Sequence, residues 1–401
     1  MAEKAIYTKF AVGAGILFAL FEIVYFATSH PPYDAVHYLF GWDFVNTWMG
    51  GRAALHGHPE QYFDYAHYNV ALHKLFAANL PKYNWSYPPH ILLLIWPFGL
   101  LPYMASYVTW VAAGLGLFLW SASEGKFEKQ HMLFLLFAPV VMVNILTGQN
   151  GLFTGAMLFT AVMNWDRRPT LAGVLFGLLT VKPQLVLLVP LVLILTKRWR
   201  VFGFAAATVA MMFAATSLIY GFHIWRDYLA EAALFQNRMM THGVGLMLGM
   251  MPTAFMNARL MNAPLPLAWA LQAITSALAL AATVWTFWRK RDPLLSAALL
   301  FTASLLFTPY AFNYDMAALM AVLALMAQRA DNQRIDRTLI LALWALPVAM
   351  MFGFFPGIAG SALMLLAFGN RLFQRLRNAE IVQPSASSAG LSSSATVLSI
   401  T

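Results

Sequence analysis

Long apolar runs separated by short polar connectors make up most of the chain. They recur at about 10–28, 91–121, 131–147, 151–164, 170–181, 184–196, 201–220, 264–288, 293–308, 316–328, 338–353 and 357–369. A helix needs roughly 17–25 apolar residues to cross the hydrocarbon layer. Several runs fall short of that, so they borrow residues from their flanks or are broken within the membrane. The run 91–121 holds Pro97 and Pro102, which predicts a short re-entrant piece followed by a spanning helix. The pattern as a whole predicts an all-α polytopic membrane protein with about 10–13 transmembrane or membrane-embedded helices. Two long hydrophilic stretches, about 30–90 and 221–263, interrupt it.

Composition agrees with this reading. The 401 residues are 60% hydrophobic and 10% charged, against roughly 25% charged in soluble domains. One membrane domain is expected over residues 1–379. The tail, 380–401, is rich in Ser, Ala and Thr and is expected to be a disordered cytoplasmic end. Lys4 and Lys9 precede an apolar run longer than the roughly 7–15 residues of a cleaved signal core, so an uncleaved first transmembrane helix is expected. With no cysteine the chain has no disulfide and no thiolate metal site.

The net charge of +9 raises the question of nucleic acid. The basic residues sit in small groups between apolar spans, the arrangement of topology signals and not of a nucleic-acid stripe. With a cytoplasmic amino terminus and alternating spans, one side receives eighteen of the 25 lysines and arginines, on short connectors. That satisfies the positive-inside rule. The other face then owns both long loops and three polar turns: Thr147-Gly148-Gln149-Asn150-Gly151, Lys182-Pro183-Gln184 and Thr308 to Asp315. A solute carrier tends to place its polar groups near the bilayer midplane; here they gather at one surface.

The candidate chemistry lies on that surface. Asp43, between Trp42 and Phe44 and near Trp48, suits a general base at the membrane edge. Its bland alternatives are a helix cap or an ion pair with Arg52, and Asp34 and Asp64 are the alternative bases. Lys182 ends an apolar span, where a lysine is costly without a partner such as a lipid phosphate, unless it snorkels to the interface. Gln149 and Asn150, bracketed by Gly148 and Gly151, either bond a sugar or form a tight turn. Tyr314 and Asp315 start a helix, as a cap or as site residues. His56, His58 and Asp64 lack the spacing of a zinc site on one helical face, so no metal is expected. Gly13 and Gly15 fit helix packing, since no strand precedes them. With no Asp-x-Asp pair and no Walker loop, neither a metal-held nucleotide sugar nor ATP is indicated, and no cofactor is expected.

These residues also carry a resemblance. Gly41-Trp42-Asp43-Phe44, Gly57 with Tyr62, Tyr87-Pro88-Pro89, the Thr147–Gly151 turn, Val181-Lys182-Pro183-Gln184, and Pro309-Tyr310 leading to Tyr314-Asp315 occur in this order. In them the chain resembles glycosyltransferase family 87, the DUF2029 group of polytopic mannosyltransferases with the GT-C architecture, from the first helix to about Arg371. The resemblance implies a polyprenyl-phosphate-sugar donor, usually mannose, and a lipid or glycan acceptor. It also implies reaction at the periplasmic face of a bacterial inner membrane. Asp43 would be the first-loop base of an inverting displacement that turns a β-linked donor into an α-glycoside. Lys182, Gln184, Gln149, Asn150, Tyr314, Asp315, Arg52 and Tyr87 would bind donor or acceptor. The segment 221–263 departs from any family motif. Three rivals stand beside this reading: an arabinose or glucose donor, a lipid-linked glycan flippase or transporter, and a structural scaffold in which Asp43 and Lys182 do not converge.

Overall fold

The computed structural model describes residues 2–123, 127–243, 245–289, 291–351 and 357–382, and their regular structure is helical. No strand forms among them; pairing is limited to isolated bridges at His30–Tyr33 and Tyr33–Leu39.

Four helices are long and apolar enough to cross a bilayer: Ile6–Ala27, Tyr103–Ala122, Trp199–Tyr220 and Leu265–Trp288. Much of their apolar surface is uncovered by protein, with Leu17 68% and Leu218 86% exposed. Such faces are stable only against hydrocarbon. Lys129–Leu136 and Pro139–Thr147 form a pair bent by 43°, where Pro139 cannot donate a backbone bond. Shorter apolar helices fill the remainder, among them Gly151–Asn164, Pro169–Val181, Pro183–Leu195, Pro293–Phe307 and Asn313–Ala327. Pro293–Phe307 and Ala317–Ala327 are buried on nearly every face, as expected of helices apolar all round. They form the centre of the main core.

The run 91–121 divides as its prolines require. Pro89–Leu100 is a short apolar piece, Pro102 stands just outside the next helix, and Tyr103–Ala122 is the spanning helix. The short piece lies tightly against the helix Phe44–His56. A Cβ on Gly99 would stand 2.3 Å from the carbonyl carbon of Gly51.

The first hydrophilic stretch is a folded unit with its own core, built on Phe40, Phe44, Trp48, Tyr68, Trp85, Tyr103, Tyr107 and Trp110. Asp64 caps the helix Tyr65–Leu75 by accepting the His67 N–H at 2.7 Å. Asp34 accepts the N–H groups of Val36 and Tyr38 at 3.0 and 2.8 Å. Both alternative bases are therefore engaged as loop staples.

The helix Pro293–Phe307 begins at Asp292 and ends at the Thr308–Asp315 turn, so these mark opposite ends of the bundle. Around Asp292 the connectors are tied by ion pairs: Arg329–Asp292, Arg375–Asp331, Arg371–Asp336 and Arg198–Asp166. All of them join connectors assigned to one side by charge. Arg371 and Arg375 belong to the helix Gly357–Val382, which runs on through 380–382, where a disordered tail was expected. The remainder of that tail lies outside the described residues.

Candidate active site

Two sharp turns set the position of Asp43. Gly41 (φ 72°) and Trp42 (φ 31°) are left-handed and turn the chain into the helix Phe44–His56. Gly148 (φ 61°) ends the helix Pro139–Thr147, the usual place for a residue without a side chain. A Cβ on Gly148 would lie 2.4 Å from the Cβ of Phe44, so the turns touch only because it is glycine. They are joined by the Asp43 N–H, which donates to the Thr147 carbonyl at 3.1 Å. The Tyr103 hydroxyl donates to the Phe40 carbonyl (2.6 Å) and the Tyr107 hydroxyl to the Ile145 carbonyl (2.7 Å). A third turn is drawn in by Asn144, whose Nδ2 donates to the Tyr314 carbonyl at 3.1 Å.

Asp43 stands where a helix cap would, but its side chain makes no capping bond. Gln149 Nε2 donates to Asp43 Oδ2 at 2.9 Å, and the Tyr87 hydroxyl donates to Gln149 Oε1 at 2.9 Å. This relay orients the carboxylate without neutralising it. Asp43 Oδ1 takes no hydrogen bond among the described residues. Burial pushes the Asp43 carboxyl above its ordinary pKa, opposed by the Gln149 bond and the charge of Lys182.

Lys182 is 4% exposed. Its Nζ bonds Asp315 Oδ1 at 2.6 Å and lies 4.6 Å from the centre of the Tyr314 ring. That ring stacks on Phe312 at 4.8 Å. Asp315 also accepts the Phe312 N–H at 3.3 Å, so it both caps its turn and pairs the lysine. Taking two charges out of water is offset only when they meet this closely.

A cavity of about 670 Å³ brings these groups together. Of the expected residues, Asp43, Gln149, Lys182, Gln184, Tyr87 and Tyr314 line it. Asp315 sits behind Lys182, outside the lining. Asn150 is buried away from the cavity, its carbonyl accepting the Thr154 N–H. Arg52 also lies elsewhere, its guanidinium 4.9 Å from the centre of the Trp48 ring. Nine residues along a helix is about 2.5 turns, which puts Arg52 on the face away from Asp43. Asp43 and Lys182 share one cavity, contrary to the scaffold alternative.

The wall also contains residues outside the expected set of base and binding residues. Tyr38, Asn46, Lys82, Tyr83, Asn84 and Ser86 come from the first loop, and Tyr310 and Phe312 from the last turn. Tyr228, Gln236, Met239 and Met250 come from the 221–263 segment. That segment docks on the first loop through Tyr65 stacked on Phe235 (4.5 Å) and Phe63 against Tyr228 (5.8 Å). Its helical spacing of Tyr228, Gln236 and Met239 was the available signal, but nothing in the sequence said which face met the cavity. Amides and aromatic rings are the chemistry of a polyhydroxylated ligand, with hydrogen bonds for the hydroxyls and flat surfaces for the ring. Among the described residues no cluster of three His, Asp or Glu side chains could hold a metal ion. His56 and His58 engage separately, with the Arg52 carbonyl and with Glu60.

Comparison with known proteins then places the chain. A family model described as glycosyltransferase family 87 matches residues 85–309. No curated protein and no solved structure matches. The matched stretch includes Tyr87, Gln149, Lys182 and Gln184; Asp43 precedes it and Tyr314 follows it, and folding brings both to the same cavity. More than half of the 401 residues are matched, on a chain built from apolar membrane-spanning helices: it belongs to glycosyltransferase family 87 and is a membrane glycosyltransferase.

Proposed function

We propose that the enzyme moves a sugar, mannose in the first instance, from a polyprenyl-phosphate donor to a hydroxyl of a lipid or glycan acceptor, with Asp43 as general base. The reaction occurs at the periplasmic face of a bacterial inner membrane, the face that the positive-inside rule gives to the first long loop. The observation that carries this reading is the carboxylate of Asp43: one oxygen held by Gln149, the other open to the cavity.

The acceptor hydroxyl donates to Asp43 Oδ1, and its oxygen attacks the anomeric carbon. The bond from that carbon to the phosphate oxygen breaks on the opposite face, and the bonding electrons leave with the phosphate. The proton stays on Asp43 and the polyprenyl phosphate departs with one more negative charge. A carboxylate whose pKa is raised by burial accepts that proton more readily than an ordinary aspartate. The leaving phosphate needs no proton, only positive charge placed where charge develops. Lys182 supplies it from the buried side through the hydrogens that Asp315 leaves unused. Lys82 supplies it from the exposed rim, with no ion-pair partner among the described residues.

A lipid tail also needs a path. A second cavity of about 310 Å³ is lined entirely by apolar residues, Leu17, Phe18, Phe21, Met142, Val143, Leu146, Val348 and Met351. Val143, Leu146 and Met351 share one packed cluster with Met250, Phe312 and Tyr314 of the catalytic cavity. A prenyl chain entering from the bilayer would thus end against the packed residues that back Phe312 and Tyr314 of the catalytic cavity.

The test is transfer by the purified enzyme from polyprenyl-phosphate-mannose to a membrane lipid extract, wild type beside Asp43→Asn. The expected result is transfer by the wild type and a loss of about 10²–10⁴-fold in the variant, with donor binding kept. Equal transfer by both would remove Asp43 from the base role.

A further inference from the structure

We infer that the hydroxyl of Tyr83 binds the acceptor sugar beside the reacting hydroxyl, and that Asn69 holds Tyr83 in place for it. The inference rests on the transfer reaction proposed above. Tyr83 is 9% exposed, and its phenol oxygen is buried with no hydrogen-bond partner among the described residues. Tyr83 is nonetheless one of the residues that line the catalytic cavity. A buried hydroxyl without a partner is costly and uncommon; on a residue of a cavity wall, a turn of the ring toward an occupant supplies the missing partner.

The position of Tyr83 is enforced. The Tyr83 N–H donates to Asn69 Oδ1 at 2.9 Å, and Asn69 Nδ2 donates back to the Tyr83 carbonyl at 2.8 Å. One side-chain amide thus satisfies both backbone groups of a loop residue, as a neighbouring strand would. Asn69 Nδ2 also donates to the Tyr65 carbonyl at 2.7 Å, which fixes the amide to its own helix. The neighbouring Tyr68 hydroxyl donates to Asn46 Oδ1, and Asn46 is another wall residue. The helix Tyr65–Leu75 therefore holds two cavity side chains through two adjacent residues.

The chemistry of the ligand follows from the surroundings. Burial, and then the negative charge of Asp43, push the Tyr83 phenol up, so it stays protonated and donates. A phosphate would be repelled by Asp43 at this place. A neutral hydroxyl-bearing sugar would not: it gives one hydroxyl to Asp43 and accepts from Tyr83 at a neighbouring oxygen. Tyr83 is thereby a substrate-binding residue and Asn69 a positioning residue.

The experiment uses the full-length enzyme with methyl α-D-mannopyranoside as the acceptor probe and polyprenyl-phosphate-mannose as donor. Binding of the probe is followed by tryptophan fluorescence, and KM is measured for each substrate. Tyr83→Phe removes one oxygen and keeps the ring. The expected result is probe binding and acceptor KM weakened by about five- to tenfold, with donor KM and melting temperature no worse than wild type. Asn69→Leu should weaken the acceptor in the same way and leave donor KM unchanged. Three results would overturn the inference: unaltered probe binding in Tyr83→Phe, a change confined to donor KM, or a wild type that does not bind the probe. A wild type that binds the probe but transfers nothing would instead count against the donor reading, and the binding comparison would still decide the role of Tyr83.

Discussion

The two ends of the helical bundle treat their carboxylates in opposite ways. At one end Asp166, Asp292, Asp331 and Asp336 each meet an arginine. At the other, Asp43 meets an amide, and Lys182 and Asp315 form a closed pair beside it. Salt-bridged carboxylates hold connectors together, with their oxygens turned to arginine. An amide orients a carboxylate and leaves its charge and one oxygen available. The contrast separates charges that serve the fold from one that is kept for chemistry.

Lys182 and Asp315 lie between these two cases, and breaking them gives the largest effect. Lys182→Met leaves Asp315 buried without a counter-charge, which is expected to cost about 3–5 kcal/mol and to abolish transfer. Lys182→Met with Asp315→Leu should recover most of the melting temperature in detergent but not the transfer rate. A double variant as active as wild type would make the pair purely structural. At the other end, Asp336→Asn removes the charge that meets Arg371 and Arg375. It is expected to cost about 2 kcal/mol of stability with kcat per folded enzyme unchanged. A fall in kcat would mean that the two ends are coupled.

The smallest expected effect is the most diagnostic. The Gln149 bond lowers the pKa of Asp43 against burial, so Gln149→Leu should raise it further. A base must be ionised, and the acid limb of the pH–rate profile is expected to move to higher pH. An unmoved limb would show that a group other than Asp43 titrates. Stability responds to pH with opposite signs at the two ends. Asp43, raised by burial, disfavours the folded state as pH climbs from the ordinary aspartate range through its raised value. Asp292 is raised by burial but lowered further by the hydrogen bonds and charge of Arg329, and its net pKa is lowered. It stabilises the fold above the ordinary range, and that stabilisation is lost as pH falls through the lowered value. As pH climbs above the aspartate range, thermal melts should show Asp43→Asn gaining on wild type and Asp292→Asn falling behind it, with both differences closing at acid pH.

The polytopic helical class, the break at Pro97–Pro102 and the polar turns around Gln149 and Lys182 were legible because hydropathy, proline and glycine act locally. A helix must bury or dissolve its apolar face whatever lies beside it, and a proline interrupts its hydrogen bonds wherever it stands. Motif order could likewise nominate Asp43, Gln149, Lys182 and Tyr314. It could not separate Tyr314, on the cavity wall, from Asp315, behind Lys182, because neighbours in sequence point to different partners. Arg52 was nominated by proximity in the chain and sits on the far face of its helix.

Tyr83, Asn46, Lys82 and Gln236 carried no local mark at all. Their place depends on contacts between segments far apart in the chain: Tyr83 on Asn69, Asn46 on Tyr68, and the 221–263 segment on the first loop through Phe235 and Tyr228. Residue order established which groups were chemically able to act, since that depends on side-chain type and local backbone. Which of them face one cavity was decided by packing, because a hydrogen bond or a shared wall is set by distances that close only when the whole chain has folded.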